Sequence, residues 1–242
     1  MAVNAIEGVF PAGVAAFYTD RLGGVSQGPY QGFNLGLHVG DVPSRVHYNR
    51  ALLSLDIGIG QEPAWLNQIH GDQVQLLPGP VLDGADAAVT RIPGQPLAIM
   101  TADCLPALFA SKDGAVVGAA HAGWRGLAGG VLEATVAAMG VPATELIAWL
   151  GPCIGPNAFE VGPEVREAFL SQVESDGAAF QPKAGGKYLA DLQQLAANRL
   201  KRLGVTAIYK DPACTFAEAE RFFSYRRDGQ TGRMAFMILR NT

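Results

Sequence analysis

Short apolar runs, each bounded by glycine, proline or polar residues, recur along the chain and predict β-strands. The predicted strands are VAAFYT (14–19), AWLNQIH (64–70), QVQLL (73–77), a short strand within LDGADAAVTRIPGQ (82–95), PLAIMTADCLPALFA (96–110), AVVGAAHAG (115–123), ELIAWL (145–150), VTAIY (205–209) and two within RFFSYRRDGQTGRMAFMIL (221–239). Gly71-Asp72 and Asp228-Gly229 are turn pairs that predict two hairpins. Pro106 interrupts the run at 96–110, because proline cannot continue a central ladder.

A period near 3.6 residues predicts four amphipathic helices. They lie at roughly 44–55, 131–140, 162–173 and 188–204. The apolar side of the first comprises Val46, Leu52, Leu53 and Leu55, and that of the last comprises Leu189, Leu192, Leu195, Ala196 and Leu200. Gly204 is the expected C-cap of the last helix. The pattern predicts a glycine-rich turn at residues 123–130 and a polar loop at 174–186.

Strands outnumber helices in this pattern, and several strands are joined as hairpins. That combination favours an α/β (α+β) fold with a mixed sheet over a doubly wound parallel sheet. The chain carries no repeat, linker or low-complexity tract, so we expect one domain spanning residues 1–242.

Composition narrows the function classes. Hydrophobic residues make up 49% and charged residues 17% of the 242 residues, which suits a folded core. The net charge of −4 argues against nucleic acid or an anionic membrane as a partner. Three widely spaced cysteines do not suggest a disulfide framework, and the N-terminus has no signal-peptide pattern. We therefore expect a cytoplasmic protein.

Three scarce, reactive side chains stand within or beside predicted strands: His70, Cys104 and His121. Taken alone, each of the three is compatible with a purely structural role. A cysteine in an apolar strand, for example, is most often a small buried hydrophobic residue. Together they fit a zinc site in which two imidazoles and a thiolate leave the fourth position open. Two alternatives stay open: a blue copper centre with Met100 as axial ligand, and a metal-free pair in which Cys104 is the nucleophile and a histidine the base.

Arginines and small polar residues near these positions are candidates for binding substrate. Arg125 follows His121 in a glycine-rich turn that opens a helix, a setting that binds anions but also suits a surface arginine. Arg50 lies on the polar side of the first helix, where a solvated position is the better reading. The predicted strand in FFSYRRDG contains several polar residues, which makes Ser224 and Arg226 candidates to face a ligand.

The motifs appear together over nearly the whole chain, as RLGGVSQGPYQGFNLGLHVGD, NQIHGDQV, DGADAAVT, TADCLPALF, AHAGWRGL, GPCIGPNAFEVG, CTF and FFSYRRDGQTGR. In this combination the chain strongly resembles the laccase-domain family, once labelled polyphenol oxidases. Its members are described as purine nucleoside phosphorylases with adenosine deaminase and methylthioadenosine phosphorylase activity, and its bacterial branch is also called peptidoglycan editing factor. The resemblance implies layered sheets flanked by helices, and zinc held by His70, Cys104 and His121.

The prediction is therefore a zinc-dependent purine nucleoside enzyme whose partners are purine nucleosides and phosphate. Arg125 and Arg50 are the candidates for phosphate, and Asn34, Gln68 and Ser224 for polar contacts with substrate. One alternative is an editing hydrolase that removes a misincorporated amino acid from a muropeptide precursor at the same site. Another is a non-catalytic zinc module, which requires a fourth protein ligand. A copper polyphenol oxidase ranks last, because four histidines without a His-x-His pair cannot ligate a multicopper centre.

Overall fold

The computed structural model describes residues 2–241, which form fourteen β-strands and six α-helices. The strands are β1 (Val3–Ala5), β2 (Val14–Thr19), β3 (Ala64–Trp65), β4 (Val74–Leu77), β5 (Ala87–Thr90), β6 (Leu97–Thr101), β7 (Leu105–Ser111), β8 (Val117–Ala122), β9 (Leu146–Leu150), β10 (Glu160–Val161), β11 (Phe180–Pro182), β12 (Tyr188–Ala190), β13 (Ala207–Lys210) and β14 (Met234–Arg240). The helices are α1 (Pro43–Asp56), α2 (Trp124–Gly129), α3 (Val131–Met139), α4 (Pro163–Leu170), α5 (Leu192–Leu203) and α6 (Tyr225–Asp228).

These strands make three sheets. A five-stranded sheet has the order β1-β2-β14-β6-β3, a six-stranded sheet the order β13-β9-β7-β8-β5-β4, and a small sheet the order β10-β12-β11. Most neighbours are antiparallel, whereas β3 with β6, β4 with β5, and β9 with β13 are parallel. The predicted mixed α/β fold with layered sheets and flanking helices is confirmed.

Alternating apolar side chains stack the two large sheets face to face. In β7, Ala107 and Phe109 belong to the core under α3 and α5, whereas Leu108 belongs to the core between the sheets. In β14, Phe236 enters the core between the sheets and Met237 packs in the cluster that includes residues of α1. Because successive strand residues point to opposite faces, each sheet contributes to two apolar layers, giving the order α1, sheet, sheet, helices.

One predicted turn and one predicted strand break are instead connections between sheets. The predicted hairpin at 64–77 is wrong: β3 pairs with β6 in the five-stranded sheet, and β4 pairs with β5 in the six-stranded sheet. The break in the run at 96–110 falls at 102–104, where β6 and β7 diverge into different sheets, and not at Pro106. Pro106 lies within β7, and its carbonyl accepts a hydrogen bond from the Gly151 N–H. Proline lacks an N–H, so β7 is missing only this one backbone donor, near the end of the strand.

Three other predicted elements have different bounds in the structure. The predicted turn at 123–130 contains the helix α2. The predicted loop at 174–186 contains a 3₁₀ segment, Glu174–Ala179, and β11. The last long helix begins at Leu192 and not at 188, because Asp191 caps it through Oδ1 and the Gln194 N–H (2.8 Å). Gly204 ends it with a left-handed conformation, as predicted.

The first and last predicted elements also need correction in part. In α1 the buried positions are Val46, Asn49 and Leu53, whereas Leu55 is 76% exposed. The C-terminal hairpin is wrong: β14 forms, but the stretch before it ends in the short helix α6. Within residues 2–241, no helix combines the length and the apolarity that a membrane span requires.

Candidate metal centre and substrate cavity

His70, Cys104 and His121 converge at one edge of the two large sheets. His70 lies on the connection from β3 to β4, Cys104 at the end of the connection from β6 to β7, and His121 near the end of β8. One ligand atom from each lies within 4.8 Å of the others, and His70 Nε2 is 3.8 Å from Cys104 Sγ. The two imidazole rings meet edge to face with centroids 4.7 Å apart. Residues far apart in sequence thus form one cluster.

Gly123 makes this convergence sterically feasible. A Cβ at this position would lie 2.9 Å from Cys104 Sγ and 3.0 Å from His70 Cδ2. It would also lie 3.5 Å from His121 Nε2, so all three side chains face the same backbone position. Any larger residue would push the cluster apart.

Asp86 holds both histidines in place. It is fully buried, and its Oδ1 bonds to His121 Nδ1 at 2.7 Å. Its oxygens also accept the backbone N–H groups of Ile69 (3.1 Å), His70 (2.9 Å) and Gly71 (2.7 Å). This network stabilises the left-handed backbone of His70 (φ 62°), which a non-glycine residue rarely adopts. With Nδ1 engaged, His121 directs Nε2 towards the cluster.

Asp103 fixes the backbone next to Cys104. Its φ of 98° is strained for a non-glycine residue. Its carboxylate accepts hydrogen bonds from Thr215 Oγ1 (2.7 Å), Ser224 Oγ (3.0 Å) and the Arg226 N–H (2.7 Å). The connection that carries Cys104 is therefore tied to α6 and to the loop containing Thr215.

Mutual electrostatics favour charged forms in the cluster. Burial raises the pKa of Cys104, but the positive charge of His121 and hydrogen bonds from both histidines outweigh it and lower the pKa to about 6. Burial lowers the pKa of His121, but the Cys104 thiolate and Asp86 raise it to about 9. Burial would also raise the pKa of Asp86, yet hydrogen bonds from His121 and Gly71 hold it below its ordinary value. Cys104 is therefore predominantly a thiolate at neutral pH, the form that binds metals.

The donor set fits a zinc ion. Ligands of a tetrahedral zinc stand about 3.5 Å apart given zinc–ligand distances of about 2.0–2.3 Å, close to the 3.8 Å between His70 Nε2 and Cys104 Sγ. The carboxylate of Asp86 on the second ring nitrogen of His121 is the outer partner that metal-bound histidines usually have. Three protein ligands leave one coordination position for a small molecule. The sulfur of Met100, the expected axial copper ligand, is contacted by Arg50 Nη2 at 3.7 Å.

A cavity of about 540 Å³ opens over the cluster. Aromatic and apolar side chains form part of its wall, namely Trp124, Ile154, Phe159, Leu192 and Tyr225. Arg125, Arg226 and Arg233 add positive charge. Among residues 2–241 the wall has a single carboxylate, that of Asp103, and its oxygens are already bonded within the protein. A cavity of this size, apolar with a few placed charges, suits a small ligand with a flat ring and an anionic group.

The structure brings only some of the predicted substrate residues to this cavity. Arg125 is exposed at the wall and stacks on Trp124. Gln68 lines the wall, but its amide bonds both the N–H and the carbonyl of Met100 at 2.8 Å. Thus Gln68 extends the edge of β6, and its amide already has two partners.

The other three predicted substrate residues are absent from this wall. Arg50 donates to the Leu35 carbonyl and stacks on Trp65. Asn34 is fully buried and bonds Asp41 and the backbone of Gly36 and Arg233. Ser224 is fully buried and caps α6. The polar pattern of these residues reflects internal hydrogen bonding.

The structure adds Asp86, Thr101 and Arg233 to the site and gives Asp103 a role in it. Thr101 ends β6 in the cavity wall, and its hydroxyl is buried without a hydrogen-bond partner among residues 2–241. Asp86 carries a recognisable signal, a carboxylate directly before the fully buried strand β5. Arg233 carries none, because it follows a predicted turn where arginine is common.

Comparison with known proteins agrees with the fold. Residues 15–241 match the family described as multi-copper polyphenol oxidoreductase laccase. The purine nucleoside phosphorylase of Haemophilus influenzae is 52% identical over 232 residues, covering 94% of this chain and 95% of that protein. The purine nucleoside phosphorylase YfiH of Escherichia coli is 51% identical over 230 residues, covering 94% of each. A crystal structure of a Neisseria meningitidis protein superposes with a TM-score of 0.94 at 47% identity, covering all of both chains.

Proposed function

The chain belongs to the family described as multi-copper polyphenol oxidoreductase laccase, and we propose that it is a zinc-dependent purine nucleoside phosphorylase formed by one domain spanning residues 1–242. The relatives above carry the name of that activity. The observation that supports it most directly is the cavity in which three potential metal ligands lie beside aromatic walls and three arginines. We infer that this cavity offers groups suited to binding the purine, the sugar and the phosphate.

In phosphorolysis, a phosphate oxygen forms a bond to the anomeric carbon of the ribose while the bond from that carbon to the purine nitrogen breaks. The purine leaves with the electron pair and takes up a proton. Trp124 and Tyr225 offer faces on which a purine stacks. The arginines bind phosphate and compensate its charge. Thr101 has a hydroxyl free to bond the nucleoside, since no protein group in residues 2–241 satisfies it.

His70, Cys104 and His121 would hold the zinc ion, which when bound supplies a Lewis acid beside the substrate. Asp86 orients His121, and Asp103 orients the backbone of Cys104. We propose that adenosine deaminase and methylthioadenosine phosphorylase activities use the same cavity. In deamination, the oxygen of water forms a bond to the purine ring and ammonia leaves.

Two alternatives have less support. The family description leaves copper open, but a multicopper centre needs many imidazole ligands, and the chain has four histidines. None of the relatives reported above is described as a cell-wall enzyme, so the muropeptide hydrolase stays a prediction without support. A cytoplasmic location also stays a prediction.

Metal content and turnover test the proposal together. We expect purified wild type to hold close to one zinc per chain by elemental analysis and to release hypoxanthine from inosine only when phosphate is present. Cys104→Ala and His121→Ala remove ligands, so zinc content and turnover should both fall to background. His47→Ala, which removes an exposed histidine outside this cavity, is the control and should match wild type. Zinc-loaded wild type without any nucleoside turnover would refute the proposed function.

A further inference from the structure

A second open cavity, of about 500 Å³, adjoins the metal cavity. His38, Tyr225 and Arg233 line both cavities, so these side chains form a shared wall. The remaining lining comes from Val39 and from residues 229–231, between α6 and β14. The two cavities therefore share these three side chains as a boundary.

Thr231, in the wall of the second cavity, has a buried hydroxyl that lacks a partner. The residue is only 1% exposed, and its Oγ1 makes no hydrogen bond within the described part of the chain. A buried hydroxyl without a partner is costly, and native proteins rarely retain one without a reason. A polar ligand in the cavity would provide the missing hydrogen bond.

Arg233 supplies a positive charge held in a fixed position. Its Nη1 donates to the carbonyls of Thr231 and Gly232, both at 3.0 Å, and its backbone N–H donates to Asn34 Oδ1 at 2.9 Å. Nε and Nη2 of this guanidinium make no hydrogen bond to residues 2–241, so they are available to a ligand. No carboxylate among those residues pairs with it, and no acidic side chain lines the second cavity.

Burial lowers the pKa of His38, and the charges of Arg233 and Arg50 lower it further. A preorganised guanidinium beside a free hydroxyl is a favourable arrangement for a tetrahedral oxyanion, because both can donate to its oxygens at once.

We infer that the second cavity is an oxyanion subsite that takes a phosphoryl group, held by Thr231 and Arg233. This inference rests on the proposed function, in which a nucleoside occupies the metal cavity. The phosphoryl group has two sources: free inorganic phosphate, the co-substrate, or the phosphate ester of a nucleotide whose nucleoside part lies in the metal cavity. Both present the same oxygens to Thr231 and Arg233.

Isothermal titration of Thr231→Val tests the subsite with inorganic phosphate, AMP and adenosine as separate ligands. Valine keeps the shape of threonine and removes only the hydroxyl. We expect phosphate or AMP to bind about tenfold more weakly, one charge-assisted hydrogen bond being lost, while adenosine binds as to wild type. The melting temperature should not fall, because the hydroxyl had no protein partner. Thr135→Val is the matched control: its buried hydroxyl donates to the Val131 carbonyl at 2.6 Å, so phosphate and AMP should bind it normally.

A second variant, Arg233→Met, removes the positive charge and should weaken the binding of the same ligand by at least about tenfold. Arg233 also faces the metal cavity, so the result for Thr231→Val decides. Weaker phosphate binding by Thr231→Val identifies the co-substrate as occupant, and weaker AMP binding alone identifies a nucleotide; either result supports the subsite. Unchanged binding of both ligands by Thr231→Val would overturn it, even if Arg233→Met binds them more weakly. Inosine turnover by wild type separates the two proposals: turnover with unchanged binding rejects only the subsite, and altered binding without turnover rejects only the phosphorylase activity.

Discussion

Asp86 shows how the site depends on a residue that touches no substrate. It joins the loop of His70 to the ring of His121, two segments about fifty residues apart in sequence. The three candidate ligands could be found from the sequence because cysteine and histidine are scarce and reactive. Asp86 stands out as a carboxylate directly before a buried strand, but its role could not be predicted, because it depends on backbone N–H groups that only the folded chain brings to it. The same holds for Asp103, which ties Cys104 to α6.

Replacing Asp86 by Asn should weaken metal binding. The amide would present N–H groups to donors that now face a carboxylate, so His121 and the backbone of His70 lose their anchor. We expect zinc affinity to fall by about 10- to 100-fold and the free energy of unfolding by about 2–4 kcal/mol. A chelator competition assay measures the first and urea denaturation the second. Asp72→Asn, an exposed carboxylate on the same loop, should change neither. Zinc affinity equal to wild type would contradict the positioning role.

At the scale of elements, the sequence pattern locates most strands and helices but not their partners. β2 and β8 lie where predicted, and α4 and α5 overlap their predicted ranges closely. The errors cluster where a short polar segment crosses between sheets or where a cap overrides a weak strand pattern. FFSYRRDG reads as a strand by its aromatic residues, yet Ser224 accepts the Arg227 N–H at 3.2 Å and starts α6. The strand propensity of so few residues cannot outweigh the helix-capping hydrogen bond of Ser224.

Ser224→Ala should therefore act on stability. It removes the cap of α6 and one of three donors to Asp103 (3.0 Å). We expect a loss of about 1–2 kcal/mol in the free energy of unfolding, measured by urea denaturation. The KM for inosine should change less than threefold, because Ser224 is fully buried and absent from the cavity wall. Ser171→Ala, at an exposed helix end, is the control. A large rise in KM with unchanged stability would instead favour the direct substrate contact that the sequence suggested.

At the scale of the whole molecule, the site lies where two connections pass between the large sheets. One carries His70 from β3 to β4, and the other carries Cys104 from β6 to β7. The first looks like a hairpin turn in the sequence and the second like a break in one strand, because neighbouring strands usually pair with each other. Sheet membership depends on contacts far apart in sequence, so the local pattern predicts layers but not the connection between them. The chemistry is thus placed by topology, and the outer helices serve mainly to close the core.

One buried carboxylate away from the site should control the acid limit of this fold. Asp176 is fully buried and binds Arg202 of α5 through both oxygens (2.9 and 3.0 Å), and Asn198 at 3.0 Å. Burial would raise the pKa of Asp176, but the bonds from Arg202 and Asn198 outweigh it and lower the pKa below its ordinary value of 3.8. A lowered pKa in the folded state means that the ionised form stabilises the fold. That contribution is complete above the ordinary pKa and is lost as the pH falls through the lowered one.

Asp176→Asn should accordingly cost about 2 kcal/mol at neutral pH, since Arg202 is partly exposed and regains water. Urea denaturation from pH 7 to pH 2.5 should show the difference between wild type and variant constant down to about pH 4, within the ordinary range of a carboxyl pKa. Below that it should shrink, as protonation removes the advantage of wild type. Glu174→Gln, an exposed carboxylate in the same 3₁₀ segment, should follow wild type throughout. A difference that stays constant into the acid range would show that the variant loses packing, and that the ion pair between Asp176 and Arg202 does not set the acid limit.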